Sequence, residues 1–158
     1  MKSLPEIQHI SSAALPYLLS VPLNNKPANG FPLICFLHGY DEAEPHNIFE
    51  ALTKHGPLNP KNPPRVKQDF IIVAPQMPRA GDLWRQFSNQ VYEIAENVQK
   101  DYNGDINRTY FTGFSFGGNG VFDVAEANPR FWAALWPVDL TRVPKNDPNR
   151  PVWISVET

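Results

Sequence analysis

The most constraining stretch of the chain is Arg108-Thr109-Tyr110-Phe111-Thr112-Gly113-Phe114-Ser115-Phe116-Gly117-Gly118. A β-branched and aromatic run ends in Gly-x-Ser-x-Gly and passes at once into Gly117 to Ala127, which reads as a helix. A strand that turns this sharply into a helix strains the backbone at the bend, and bulk two positions to either side collides with the crossing chain. Gly113 and Gly117 meet that demand, and Gly118 lets the helix approach the sheet closely. Ser115 is therefore expected at an unusual φ, its hydroxyl above the C-terminal edge of a sheet, where ligands bind in open α/β folds. The helix that follows aims its N-terminus at the same place and favours negative charge there. The residue pattern marks Ser115 as a candidate nucleophile and the backbone N–H of Phe116 as a candidate donor to an oxyanion.

Such a turn needs a sheet, and the remaining apolar runs supply one. Leu33-Ile34-Cys35-Phe36-Leu37, bounded by Pro32 and Gly39, is continuous in the way of a strand buried on both faces of a parallel sheet. Asp69 to Pro75 reads the same way, and Tyr17 to Pro22, Trp132 to Trp136 and Val152 to Val156 read as further strands. Helices are expected within Glu44 to His55, with Ile48, Phe49 and Leu52 inward, and within Phe87 to Tyr102. In the second, Val91, Ile94, Ala95 and Val98 fall at helical spacing, before a polar turn at Asn103-Gly104-Asp105. Strands alternating with helices predict a three-layer α/β/α sandwich with a mostly parallel sheet. With 158 residues, no internal repeat and no dividing linker, one domain over residues 1–158 is expected.

His38-Gly39-Tyr40 directly follows the Leu33 to Leu37 strand, as an oxyanion loop would. The backbone N–H of Tyr40 is the second candidate donor, and Gly39 permits a tight approach. His38 reads as a histidine that anchors this loop by hydrogen bonds, and Asp41, Glu42 and Glu44 read as a solvated acidic stretch. Tyr40, Trp84 and Phe116 are candidates for lining an apolar or aromatic acyl pocket.

Other chemistries find little support. A net charge of −2 and a pI near 6.1 leave no basic field for nucleic acid or anionic lipid. The first residues lack the apolar core of a signal peptide, and no run approaches the length of a membrane span, so a cytoplasmic protein is expected. Cys35, a single cysteine within an apolar run, is expected to be buried and inert. Gly117-Gly118-Asn119-Gly120 follows a serine and fits neither a phosphate loop nor a dinucleotide fingerprint. His46 and His55 lack a ligand-like spacing with carboxylates, so neither cofactor nor metal is expected.

These pieces resemble the α/β-hydrolase superfamily, in particular its esterase branch of polyhydroxybutyrate depolymerases, feruloyl esterases and dienelactone-hydrolase-like proteins. The resemblance rests on Leu37-His38-Gly39, Asp69 to Pro75, Asn107 to Tyr110, and Thr112 to Gly120, with Pro129 to Ala134 and Pro151 to Ile154. It implies Ser115 as nucleophile, Tyr40 and Phe116 as oxyanion-hole donors, and a small-molecule carboxylic ester as substrate. It also exposes a departure, because the superfamily's triad runs serine, acid, histidine in chain order. His9, His38, His46 and His55 all precede Ser115, and only Asp139 and Glu157 stand out as acids behind it. By the resemblance, the last strand, last helix and histidine loop lie outside these residues. Two readings follow: a serine esterase, weak or inactive as this chain, or a non-catalytic hydrolase-like protein that binds a small ligand or a partner. If the sheet ends at Val152 to Val156, that apolar edge is also expected to promote self-association.

Overall fold

The computed structural model describes residues 3–158. Its strands are β1 (Ile7–Ile10), β2 (Tyr17–Ser20), β3 (Phe31–Leu37), β4 (Ile71–Pro75), β5 (Gly104–Phe114) and β6 (Ala134–Val138). The helices are α1 (Ile48–Thr53), α2 (Arg65–Asp69), α3 (Ser88–Asp101) and α4 (Phe116–Ala127), with 3-10 turns at Tyr40–Glu42 and Trp84–Phe87. The strands form one sheet in the order β1-β2-β4-β3-β5-β6. β4, β3, β5 and β6 are parallel, while β1 pairs with β2, and β2 with β4, antiparallel.

The central strands β3 and β4 are apolar without interruption because each face of the sheet meets a different core. Leu33, Cys35, Leu37, Ile71 and Val73 join Val91, Ile94, Ala95 and Val98 of α3 and Val121, Val124 and Ala125 of α4. The alternate residues Phe36, Ile72 and Ala74 join Ile48, Ala51 and Leu52 of α1 on the other face. This is the expected α/β/α sandwich. Cys35 is fully buried, and burial pushes its thiol pKa well above the ordinary value, which suppresses the reactive thiolate. Among the described residues no helix is long and apolar enough to cross a membrane.

Element bounds depart from the sequence expectation where local chemistry intervenes. Asn47 caps α1, its Oδ1 accepting the N–H groups of Phe49 and Glu50, so the helix begins after Pro45 and turns Phe49 outward. Asp69 closes α2 instead of opening β4. β5 starts at Gly104, within the expected polar turn, directly after Asn103 at φ 57°. Trp132 precedes β6 and stacks on Phe111, with ring centroids 3.9 Å apart. Residues 151–155 do not form a regular strand. They bond to Leu135 and Pro137 of β6 and to Asp139 just after it, and only Leu135↔Val152 and Val138↔Ser155 meet as parallel bridges.

The topology selects one place for a site. From β3 the chain moves to one side to make β4, then crosses back to lay β5 on the other side of β3. Such a reversal opens a crevice beyond the C-terminal ends of the two central strands. The residues that leave those ends are His38-Gly39-Tyr40 after β3 and Ser115 after β5.

Candidate active site

Ser115 occupies the bend between β5 and α4 with φ 54° and ψ −112°. A non-glycine residue held in this region carries strain on the order of 1–3 kcal/mol, which the surroundings must over-determine. They do so by close packing. A Cβ on Gly113 would overlap the Gly117 carbonyl oxygen, and a Cβ on Gly117 would overlap the carbonyl oxygens of Leu37 and His38. Both supporting glycines are thus required by contact, between the two arms of the bend and between α4 and the end of β3. The Ser115 N–H donates to the Val138 carbonyl at 2.7 Å, tying the bend to the end of β6. Phe116 is the first residue of α4, so its N–H has no acceptor within the helix.

The loop after β3 reaches the same place. Tyr40 and Phe116 pack edge to face with ring centroids 5.7 Å apart, which brings the two expected donor residues together beside Ser115. Tyr40 opens a 3-10 turn, so its N–H also lies outside the turn's own hydrogen bonding. The site is open. Tyr40 is half exposed, and Ser115 is partly so. A cavity of about 500 Å³ lined by Phe122, Glu126, Arg130 and Arg150 lies at the opposite end of α4. Among the described residues no group of three or more His, Cys, Asp or Glu side chains is placed to hold a metal ion.

His38 is buried and both ring nitrogens are engaged. Nε2 accepts the Met77 N–H at 2.9 Å, which leaves the proton on Nδ1, 2.6 Å from the Gly39 carbonyl oxygen it donates to. Burial lowers its pKa from 6.5 to about 4, outweighing the upward pull of the Gly39 hydrogen bond, so the ring is neutral at pH 7. Its own carbonyl accepts from Trp84 Nε1 at 3.2 Å, and the two rings meet edge to face. Trp84 is therefore a buried support under the loop and lines no acyl pocket, correcting the expectation drawn from its aromatic character.

The acidic stretch also differs from its sequence reading. Asp41 and Glu44 are exposed, but Glu42 is only 5% exposed. One carboxylate oxygen accepts the Gly39 N–H at 2.5 Å, and the other lies 3.5 Å from His55 Nε2. The His55 ring in turn stacks on Phe114, the residue before Ser115, at 4.0 Å. Sequence reasoning missed Glu42. The available signal was spacing: a glutamate three residues after Gly39 can reach back to that backbone N–H, as in half of a capping box. Of the acids behind Ser115, Asp139 follows β6 at φ 49°, and its Oδ1 accepts the Glu157 N–H, the work of a turn residue.

No protein-family model and no curated protein sequence matches this chain. Among solved structures, it superposes on a thermostable esterase with a TM-score of 0.74 at 26% identity, over 94% of this chain and 45% of that one. This is an α/β-hydrolase-like fold, resembling that of esterases. An acetyl xylan esterase from Aspergillus awamori shares the hydrolase-like fold with a TM-score of 0.64 at 16% identity, over 84% of this chain and 52% of that one. The chain spans about half the length of each of these two structures.

Proposed function

We propose that this chain carries the nucleophile and oxyanion-binding part of a serine hydrolase acting on carboxylic esters. One observation carries the reading: Ser115 stands at positive φ between β5 and α4, with Tyr40 packed on Phe116 beside it. The Ser115 hydroxyl would attack the ester carbonyl while the N–H groups of Tyr40 and Phe116 receive the developing oxyanion. Collapse of the tetrahedral intermediate breaks the ester C–O bond, the alcohol leaves with a proton, and water then releases the acid from the acyl-serine. Likeness to a thermostable esterase at 26% identity supports the ester class.

Proton transfer is where this chain alone falls short. A neutral His38 with both nitrogens bonded cannot take the Ser115 proton, and the Nε2 of His55 faces Glu42. An unactivated serine backed only by an oxyanion hole and binding retains about 10³–10⁴ over water. The engagement of both His38 nitrogens also favours the second reading, a hydrolase-like protein that binds a small ligand in the same crevice without turnover.

An activated fluorophosphonate separates the two. Under the esterase reading, mass spectrometry finds the phosphonyl group on Ser115, Ser115→Ala abolishes it, and a short-chain ester is turned over slowly. Ester turnover that survives Ser115→Ala refutes the assignment, and absence of any adduct at Ser115 favours the binding protein.

A further inference from the structure

The backbone of Gly39 is held at both ends. His38 Nδ1 donates to its carbonyl at 2.6 Å, and Glu42 Oε2 accepts its N–H at 2.5 Å. The Gly39 carbonyl and the Tyr40 N–H belong to one peptide plane and point in opposite directions across a trans bond. Drawing the carbonyl toward His38 therefore aims the Tyr40 N–H away from His38. Gly39 is extended, at φ −76° and ψ −177°, a conformation open to any residue, so glycine's freedom does not explain the loop's shape. The two hydrogen bonds do.

Glu42 differs from an ordinary loop glutamate in what else it holds. Its backbone carbonyl accepts from Gln76 Nε2 at 3.0 Å, and Gln76 is itself buried after β4. Its second carboxylate oxygen lies 3.5 Å from His55 Nε2, and the His55 ring covers Phe114. One side chain thus joins the backbone of the donor loop to the residue that precedes Ser115. A carboxylate buried to this degree is costly unless its oxygens find polar partners, and here one accepts the Gly39 N–H while the other faces His55 Nε2.

We infer that Glu42 is a positioning residue for the Tyr40 N–H: it fixes Gly39 from the N–H side and sets the donor's direction relative to Ser115. This rests on the reading of Ser115 as nucleophile and Tyr40 as oxyanion donor, and it assigns Glu42 no contact with substrate. It predicts that the carboxylate's effect on Ser115 chemistry passes through one backbone N–H.

That N–H can be removed cleanly. Tyr40 is the first residue of a 3-10 turn and follows an extended residue, so proline fits there without disturbing Gly39. The experiment measures fluorophosphonate labelling of Ser115 at saturating reagent in the full chain, across a double-mutant cycle. Glu42→Ala should slow labelling at least about tenfold without changing the half-saturating concentration, a fraction of the 10²–10³ that loss of a whole oxyanion donor costs. Glu42→Gln, which keeps an acceptor oxygen, should restore the rate. In a Tyr40→Pro background, Glu42→Ala should cause no further loss. If Glu42→Ala does not fold, Glu42→Asp retracts the acceptor by one methylene, keeps the charge and is expected to slow labelling in the same way.

An unchanged rate in these variants, or the same loss in the Tyr40→Pro background, overturns the inference. Amide exchange separates its failure from failure of the esterase reading. Gly39 N–H exchange should quicken about tenfold or more in Glu42→Ala or Glu42→Asp, but not in Glu42→Gln. If wild-type Ser115 takes no label, the esterase reading falls. Slow Gly39 exchange that depends on an acceptor at position 42 then still supports the clamp, and exchange indifferent to position 42 overturns it.

Discussion

The two flanks of β6 are built in opposite ways. On the side of β5, the strand runs in register from Tyr110↔Ala134 to Phe114↔Val138 and receives the Ser115 N–H at Val138. On the outer side, residues 151–155 bond to it irregularly, meeting it at two isolated bridges. The inner flank is buried and crowded, with glycines whose missing Cβ atoms leave room for neighbouring backbone. The outer flank leaves Val152, Trp153, Ile154 and Val156 exposed, Trp153 at 71%. The strained serine sits where contacts over-determine the backbone, while the outer segment is held by a few backbone hydrogen bonds.

The comparison breaks first at Gly117. Gly117→Ala pushes a methyl into the Leu37 and His38 carbonyls and should destabilise the fold by about 3 kcal/mol or more, at the upper end for overpacking. Val156→Ser, on the outer flank, should change stability by less than about 0.5 kcal/mol. Denaturant titration of both variants checks the contrast, and equal losses would erase it.

Acid provides the next test. The folded pKa of His38 is lowered to about 4 from 6.5, so between these values the unfolded chain binds the extra proton. Its contribution is complete above pH 6.5 and is lost as pH falls toward 4, by roughly 3 kcal/mol at 1.36 kcal/mol per unit. Unfolding free energy should therefore drop over this window in the wild type, and His38→Gln should flatten the slope. A slope unchanged by His38→Gln contradicts the buried, neutral ring.

The smallest effect belongs to the outer flank. Amides of residues 152–156 should exchange faster than those of residues 108–118, and light scattering should show weak, concentration-dependent association that Trp153→Lys reduces. A monomer at high concentration, with slow exchange through 152–156, would show that this edge is as well protected as the inner one.

How much of this was legible in the sequence depended on whether the cause was local. The Leu33 to Leu37 run and the spacing of Val91, Ile94, Ala95 and Val98 reported their burial directly, since strand and helix periods are local properties. The bend at Ser115 was legible for the same reason, its glycines lying within two positions. β1 was missed because its ends are partly buried and its middle exposed, so no alternation marks Ile7–Ile10. α2 was missed because none of its five residues is buried, which leaves no apolar face to detect. The burial of Glu42 and Trp84 has no local signal because distant partners set it: His55 and Gln76 for the carboxylate and backbone carbonyl of Glu42, His38 and Gly120 for the indole. The place of His38 beside Gly39 marks it as a loop anchor, but its acceptor role depends on Met77, 39 residues away.

The central claim, that Ser115 is a nucleophile served by the Tyr40 N–H, is tested most directly by comparing fluorophosphonate labelling in Tyr40→Ala and Tyr40→Pro. Alanine removes the ring and keeps the N–H; proline removes both. Labelling of Ser115 in the alanine variant should stay within about threefold of wild type, whereas proline should slow it by about 10²–10³. Equal rates in the two variants would contradict the assignment of Tyr40 as donor, and label found on a residue other than Ser115 would contradict the nucleophile itself.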